Sequence, residues 1–215
     1  MKKINKQELK DLILNGITTK ELKEYDYSHI TDMSNLLSKC NTLTTIPEMD
    51  TSNVLNMRGM FQDCTSLLII PKLDTSNVLN MRSMFEGCSA LTSIPDLDTS
   101  SATNMSVMFL GCYKLNTIPL LDTSKVTNMR SMFLGCKSLV SIPDLNTQKV
   151  RKMKNMFLGC CSLVYIPTLD ISSCINFKNF VFDCINLEQC FYDKRIEYSK
   201  ANSKKLITNF PEYFI

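Results

Sequence analysis

The chain has 215 residues, of which 44% are hydrophobic and 21% are charged, and its formal net charge is +3. This composition excludes an intrinsically disordered chain, which would be poorer in apolar residues and carry more net charge. No run of about 18 apolar residues occurs, so the sequence predicts no membrane-spanning helix. We therefore expect a single folded domain.

The first 25 residues predict two short helices. Asn5 stands at the N-cap position of the first helix, and Gly16 stands where a C′ glycine would end it. Thr18 begins the second helix. We interpret residues 1–25 as an N-terminal helical cap, because the exposed end of a stack of repeats would offer unpaired backbone edges to other chains.

From residue 26 onward the sequence repeats with a period of 24 residues. The period is marked by seven cysteines: Cys40, Cys64, Cys88, Cys112, Cys136, Cys160 and Cys184. A fixed period without insertions is typical of a solenoid, in which each repeat contacts only its neighbours. Such a fold presents an extended surface rather than an enclosed pocket, which favours binding over catalysis.

Each repeat contains segments that predict local structure. Leu-x-x-Ile-Pro, as at 67–71, predicts a short extended segment that ends at the proline. The apolar i, i+3, i+4 pattern at 81–85 predicts a short helix, with Asn80 as its N-cap and Gly87 as its end. An Asp-Thr-Ser segment between strand and helix predicts an Asx-turn.

The whole pattern, Leu-x-x-Ile-Pro-x-Leu-Asp-Thr-Ser-x-Val-x-Asn-Met-x-x-Met-Phe-x-Gly-Cys, resembles the BspA-like class of leucine-rich repeats, found in bacterial and mycoplasma surface proteins and in some protists and viruses. The resemblance covers residues 26–190. It implies an α/β repeat solenoid, a right-handed coil of about seven 24-residue turns, each a short parallel strand plus a short helix. It also implies adhesion or protein binding and no catalytic residues.

The two ends of the chain lead to further expectations. Residues 191–215 leave the pattern, with one helix expected near Ser199–Asn209, and we interpret them as a C-terminal cap. Relatives of this kind are commonly exported, whereas the start of this chain has basic residues but no apolar stretch typical of a secretory signal peptide. We therefore predict a cytoplasmic or virion-associated protein. The alternative implied by the resemblance is a cell-surface adhesin.

The cysteines are interpreted as reduced thiols in the core. A column with one cysteine per coil cannot supply the compact tetrahedral set that zinc requires, and no Cys-x-x-Cys occurs. Disulfides between successive coils are the alternative. Only Cys161 falls on a variable column of the repeat, so we expect it to be the most accessible thiol.

No catalytic constellation is found in the sequence. The chain lacks a glycine-rich phosphate loop and a paired nucleophile and base, and its single histidine, His29, is predicted to lie on the surface. The aspartate column could be imagined as a calcium ladder, but Asx-turns explain it without metal. We predict a protein that is not an enzyme, with no cofactor, no metal site and no catalytic residue.

Partner binding is predicted on the strand side of the solenoid. The two residues between Leu and Ile, and the residue after the proline, vary from repeat to repeat, and several are apolar where water is expected. Scattered apolar residues on a surface can also be without function. The candidate partner-binding residues are Leu68, Ile69, Lys72, Asp96, Leu120, Asp144, Val164 and Tyr165.

A second variable surface is basic. One position after the first methionine of Met-x-x-Met stand the residues of the basic stripe, Arg58, Arg82, Arg130, Lys154 and Lys178. Such a row could meet an acidic protein, nucleic acid or another anionic partner, or merely keep the surface soluble. The stripe lacks the aromatic residues of single-strand binders, so nucleic acid is disfavoured. We expect a monomer that binds a protein partner through its strand side.

Overall fold

A computed structural model of the chain describes residues 1–176 and 178–187. The chain begins with β1 (Lys2–Lys3), α1 (Lys6–Leu14), α2 (Thr19–Leu22) and β2 (Tyr25–Asp26). The two strands pair in parallel, with Lys2 opposite Tyr25. The C-terminal cap predicted at 191–215, its helix near Ser199–Asn209, and Cys190 lie outside the described residues.

Both N-terminal helices that the sequence predicts are present. The side chain of Asn5 accepts hydrogen bonds from the backbone N–H groups of Gln7 and Glu8, and the Glu8 carboxylate accepts one from the N–H of Asn5 at 2.8 Å. Thr18 and Glu21 form the same reciprocal capping box on α2. Gly16, just past α1, has φ +79°. The apolar faces of both helices join the core that the repeats form.

The repeats stack through a parallel backbone ladder that runs along the asparagine column. Isolated bridges join residues 24 apart, from Asp32↔Asn56 through Asn80↔Asn104 to Lys152↔Asn176. Alternate N–H groups of each coil donate to carbonyls of the next coil, for example Phe85 N to Met108 O at 3.0 Å. No single coil satisfies its own backbone, so each is stable only between neighbours.

The prediction of a short helix in each repeat is wrong. Ser83 has φ +57° and Gly87 has φ +73°, so left-handed residues interrupt the segment twice. Apart from the N–H of Arg82, which donates to a side chain, its N–H groups donate either to the residue three positions earlier or to the next coil. A helix would direct them to the residue four positions earlier. The prediction failed because a row of turns buries the same Met-x-x-Met-Phe side chains that one face of a helix would bury.

Asn80 consequently has a different role from the predicted helix N-cap. Its side-chain Oδ1 accepts the backbone N–H of Arg82 at 3.1 Å, and Asn56, Asn104 and Asn128 do the same for the residue two positions later in their own coils. These are Asx-turns. The Asx-turns predicted at the Asp-Thr-Ser segments are confirmed, for example by Ser76 N to Asp74 Oδ1 at 3.1 Å.

The predicted parallel strand at Leu-x-x-Ile-Pro is only weakly developed. One bridge, Ser141↔Tyr165, falls in this segment, together with inter-coil hydrogen bonds such as Leu68 N to Thr44 O at 2.9 Å. From residue 31 to 176 the chain has isolated bridges and turns rather than regular strands or helices. The proline that follows each segment limits the ladder there because it has no N–H to donate.

The core is built from columns of identical side chains. Phe61, Phe85, Phe109, Phe133 and Phe157 are fully buried, and successive rings stack with centroids 5.5–5.7 Å apart. A column of buried threonines, which the sequence analysis did not single out, adds hydrogen bonds between coils at Thr51, Thr99, Thr123 and Thr147 but not at Thr75. Thr51, for example, donates to Asp74 O at 2.8 Å.

The cysteine column lies in the core as predicted, and every cysteine among the described residues is free. Its thiols are more than apolar filler. Cys112 Sγ donates to Phe85 O at 3.0 Å and Cys136 Sγ to Phe109 O at 3.1 Å, and the same bond recurs at Cys64, Cys88, Cys160 and Cys184. Each of these six thiols thus links its coil to the previous one, whereas the Cys40 thiol donates to Ser38 O in its own coil. Cys161, as expected, is less buried than this column.

Val107 is held in a backbone conformation that valine rarely adopts, with φ +61°. Other coils place Asn35, Gly59, Ser83 and Asn155 at this position. A β-branched residue at positive φ is strained by about 1–3 kcal/mol, whereas asparagine tolerates it. We expect Val107→Asn to raise the free energy of unfolding by about 1 kcal/mol, measured by urea denaturation. Val140→Asn, an exposed valine without positive φ, is the matched control and should give no gain.

Candidate partner-binding surface

The strand side exposes the residues that the sequence placed there. In Leu-x-x-Ile the outer two positions, Leu67 and Ile70, are buried, and the two between them, Leu68 and Ile69, are 49% and 67% exposed. Leu120, after the proline of its own repeat, is 72% exposed. These side chains are held outward because the flanking residues of the same short segment are anchored in the core.

The apolar candidate residues form two separate groups, with Leu120 alone on a coil between them, rather than one continuous row. Val164 N donates to Val140 O at 3.0 Å, and Ser141 pairs with Tyr165, so Val140, Val164 and Tyr165 lie on adjoining coils. Leu68 and Ile69 are three coils away, or about 15 Å at roughly 4.8 Å per coil. The intervening coils present polar residues at these positions: Thr92, Ser93, Asn116 and Thr117.

Val140 is a surface residue that the sequence analysis left out of the candidate site. It is 48% exposed and lies beside Val164, which is 38% exposed, and Tyr165, which is 51% exposed. The signal was present, because Val140 occupies the same column as Leu68 and Val164. We name Val140, Val164 and Tyr165 the apolar patch, and Leu68 and Ile69 the apolar pair.

The charged candidates Lys72, Asp96 and Asp144 are also exposed, and two of them line an open cleft. The cleft has a volume of about 950 Å³ and lies between the N-terminal segment and the first coils. Its carboxylates outnumber its cations, Lys23 and Lys72; they belong to Asp26, Glu48, Asp50, Asp74, Asp96 and Asp98. The sequence did not predict this cleft, because residues far apart in the chain form it.

Hydrogen bonding keeps several of the cleft carboxylates ionised. The Asp74 carboxylate accepts the Ser76 hydroxyl at 2.6 Å as well as its N–H, and these bonds lower the pKa of Asp74 below its ordinary value. The same bonds from Ser28 and Ser100 lower the pKa of Asp26 and of Asp98. The cleft is therefore an acidic region on a chain whose formal net charge is +3.

The basic stripe lies beside the asparagine column. Arg58, Arg82, Arg130 and Lys178 are exposed and Lys154 is half-buried, whereas Ser106, which interrupts the stripe, is only 3% exposed. Within the described part of the chain the only salt bridge is Lys6–Asp32 at 3.6 Å, so none of the stripe cations is neutralised by an ion pair there.

No metal-binding geometry is found in the ranges 1–176 and 178–187. No three His, Cys, Asp or Glu side chains of these ranges lie close enough to share a metal ion. His29 is exposed. No helix in this part of the protein is long and apolar enough to cross a membrane.

The stacked coils define a repeat solenoid of the leucine-rich repeat type. The fold is similar to that of a leucine-rich repeat protein from Eubacterium ventriosum, with a TM-score of 0.51 and 17% sequence identity over 72% of this chain. The alignment covers 39% of the Eubacterium protein, so this chain matches less than half of its length. A T. pallidum leucine-rich repeat protein aligns with a TM-score of 0.40 and 20% identity, over 60% of this chain and 69% of that protein.

The sequence family described as "Mycoplasma protein of unknown function, DUF285" matches residues 8–117 and 68–165. The chain belongs to this family. No curated protein matches it. These relationships establish the fold and the family.

Proposed function

We propose that this protein is a non-enzymatic interaction module that binds a protein partner through the strand side of its solenoid. The observation that carries the proposal is the exposure of large apolar side chains at outward positions of the repeat, in the apolar pair, in the apolar patch and at Leu120. Water-exposed apolar groups of this size are typical of protein interfaces when they cluster. The exposed Lys72, Asp96 and Asp144 supply the polar rim.

The proposal is tested by changing the strand side while leaving the core intact. We expect Leu68→Glu with Ile69→Glu, or Leu120→Ala with Tyr165→Ala, to abolish capture of the partner from a native lysate. These side chains lie outside the stacked core, so the melting temperature should remain close to that of the parent. Quantitative mass spectrometry of the captured proteins, with circular dichroism for stability, gives both readouts.

Leu79→Glu is the matched control. Leu79 is 49% exposed, as is Leu68, but it lies beside the asparagine column and not on the strand side. A protein captured by the parent and by the Leu79 variant, but lost in the strand-side variants, supports the proposal. Equal loss in the control would show that the interaction responds to any new surface charge, and the strand side would then have no special role.

A binder of nucleic acid or another anionic partner, acting through the basic stripe, is the second candidate because the stripe cations form no ion pair with any residue of 1–176 or 178–187. Charge reversal of Arg58, Arg82 and Arg130 should weaken a strand-side protein partner only modestly, since exposed rim charges chiefly affect association rate and salt dependence. Loss of capture in this variant, with retention in the strand-side variants and strong binding to heparin, would favour the anionic partner instead.

The finer assignments are part of the same proposal. We place the repeats in the BspA-like class of leucine-rich repeats, with residues 1–25 as an N-terminal cap, and expect a monomer in the cytoplasm or in a virion. The resemblance keeps a surface adhesin as the alternative. Labelling of intact cells, followed by cell fractionation, separates these locations. An adhesin would be labelled, and a cytoplasmic protein would not.

A further inference from the structure

The asparagine column has one cation in place of a capping side chain. Asp32, Asn56, Asn80, Asn104, Asn128 and Asn176 each use a side-chain oxygen to accept the backbone N–H two residues later, at 2.7–3.4 Å. Lys152 occupies the column between Asn128 and Asn176 and has no oxygen to offer. Among the described residues, the N–H of Lys154 has no hydrogen-bond acceptor.

The backbone at Lys152 keeps the geometry of the other coils. Lys152 pairs in parallel with Asn128 on one side and Asn176 on the other, and its carbonyl accepts Met129 N at 2.9 Å. The carbonyl of Lys154 likewise accepts Ser131 N at 2.9 Å. The ladder thus holds the free N–H of Lys154 in the place where the neighbouring coils bind an asparagine oxygen. A ligand oxygen could take that place.

The surroundings of this amide are positively charged. Lys149, Arg151 and Lys152 are exposed and Lys154 is half-buried, and none of the four forms a salt bridge within residues 1–176 and 178–187. Arg151 and Lys152 line an open cleft of about 580 Å³, together with Thr127, Asn128 and Ile175. The cleft contains no carboxylate in its lining. The Lys154 amide lies two residues beyond Lys152 in the same coil and is not part of the lining of this cleft. Because the cations nearest to it in sequence are unpaired in the described ranges, an oxygen bound to this amide would come from an anion.

We propose that the Lys154 amide, with the side chains of Arg151, Lys152 and Lys154, forms a binding site for a phosphate-type oxyanion. A phosphate group carries up to two negative charges and several acceptor oxygens, so it can bond to the amide and to the cations together. A carboxylate has one charge and fewer oxygens for the same donors. The site lies beside the asparagine column and is distinct from the strand side.

The test is a titration of the ¹⁵N-labelled full chain with inorganic phosphate at fixed ionic strength and pH 7. A saturable downfield shift of the Lys154 amide is expected. Lys152→Asn returns the missing oxygen to the column and should weaken phosphate binding at least about tenfold, since it removes both a cation and a charge-assisted hydrogen bond. Lys152→Gln removes only the cation, because glutamine does not match the Asx-turn, and should weaken binding a few-fold.

Three controls make the result decisive. Lys125→Gln removes an exposed cation from the preceding coil and should leave phosphate binding within about twofold, because Lys125 lies outside the site. Acetate should bind far more weakly than phosphate. Equal weakening by Lys152→Asn and Lys152→Gln would overturn the proposal, since charge alone would then explain binding, and so would an equal response to acetate or the absence of a saturable shift.

Two further ligands distinguish the sources of the phosphate. A phosphoserine peptide that binds tighter than inorganic phosphate, and loses that advantage in Lys152→Asn, would identify a phosphorylated protein segment as the ligand. Equal affinity for both would identify free phosphate. Single-stranded DNA that binds the parent and both Lys152 variants alike, with no shift of the Lys154 amide, would exclude nucleic acid as the ligand of this site and indicate general attraction to the basic surface.

Discussion

The free energy of unfolding of the protein is expected to fall steeply as the pH rises from about 9 to 10.5. Burial raises the pKa of Cys64 to about 11. The pKa of four further core thiols is also raised above the ordinary value, by burial in three of them and, in Cys160, first by a hydrogen bond with Cys184 and then by burial. These four are Cys88, Cys112, Cys136 and Cys160. An unfolded cysteine titrates near about 8.5. Above that pH the unfolded chain loses protons that the folded chain keeps.

The sign and size of the effect follow from proton linkage. A group whose pKa is raised in the folded state stabilises the fold fully below the unfolded pKa, and this stability is lost as the pH rises toward the folded pKa. Each thiol contributes about 1.4 kcal/mol per pH unit, so five give a slope of about 7 kcal/mol per unit. By pH 10 the loss is about 10 kcal/mol, comparable to the whole stability of a typical domain.

Urea denaturation in the presence of a reducing agent, repeated from pH 7 to pH 10, measures this slope. The double variant Cys112→Ser with Cys136→Ser is the matched control. A serine hydroxyl can donate to the same Phe85 and Phe109 carbonyls but does not titrate, so the slope should fall to about 4 kcal/mol per pH unit. A flat stability between pH 8 and pH 10, or the same slope in the variant, would contradict the burial of these thiols.

The stacking of the repeats could be predicted from sequence because the period is rigid. With Phe109 and Cys112 recurring every 24 residues, a core of repeated columns is the arrangement that buries all of them. Their burial and the exposure of Leu68 and Ile69 follow from the same register. In a solenoid, the sequence pattern of one repeat shows which positions are buried and which are exposed in every repeat.

The backbone path within each repeat could not be predicted in the same way. The Met-x-x-Met-Phe spacing suits one face of a helix, but it equally suits a row of turns whose N–H groups alternate between the same coil and the next. The two differ in where hydrogen bonds go, which a single coil's sequence does not encode. Ser83 and Val107 adopt left-handed conformations. A glycine at these positions would have predicted such a conformation, whereas serine and valine do not.

The candidate surface was predicted column by column, which explains what the prediction missed. Columns correctly identified the exposed positions, including Leu120 and Tyr165. They did not reveal that polar coils separate the apolar pair from the apolar patch. The free amide of Lys154 was likewise not predicted, because the asparagine column was interpreted as a row of helix N-caps. In that interpretation, a lysine at position 152 does not indicate that the N–H of Lys154 lacks an acceptor.

Phe109→Ala is expected to lower the free energy of unfolding by about 3–5 kcal/mol, the usual cost of truncating a buried aromatic side chain. Phe109 is fully buried, and its ring stacks on Phe85 at 5.7 Å and on Phe133 at 5.5 Å. The variant leaves a cavity between two rings and interrupts the aromatic column at its centre. Because the flanking rings are anchored by their own coils, they cannot close the gap, so we expect the upper part of the range. Urea denaturation at pH 7 under reducing conditions measures the loss.

Tyr113→Ala, four residues later in the same coil, is the control for Phe109→Ala. Tyr113 is 50% exposed, and its ring lies 5.2 Å below the Lys137 ammonium, a cation–π contact worth about 0.5–1 kcal/mol at an exposed site. The control should therefore cost no more than about 1 kcal/mol. If both variants lose the same small amount of stability, the phenylalanine column cannot be the closed core that joins the coils. If only Phe109→Ala unfolds the protein, the stability of the solenoid depends on an unbroken aromatic stack, as expected when each coil is stable only between its neighbours.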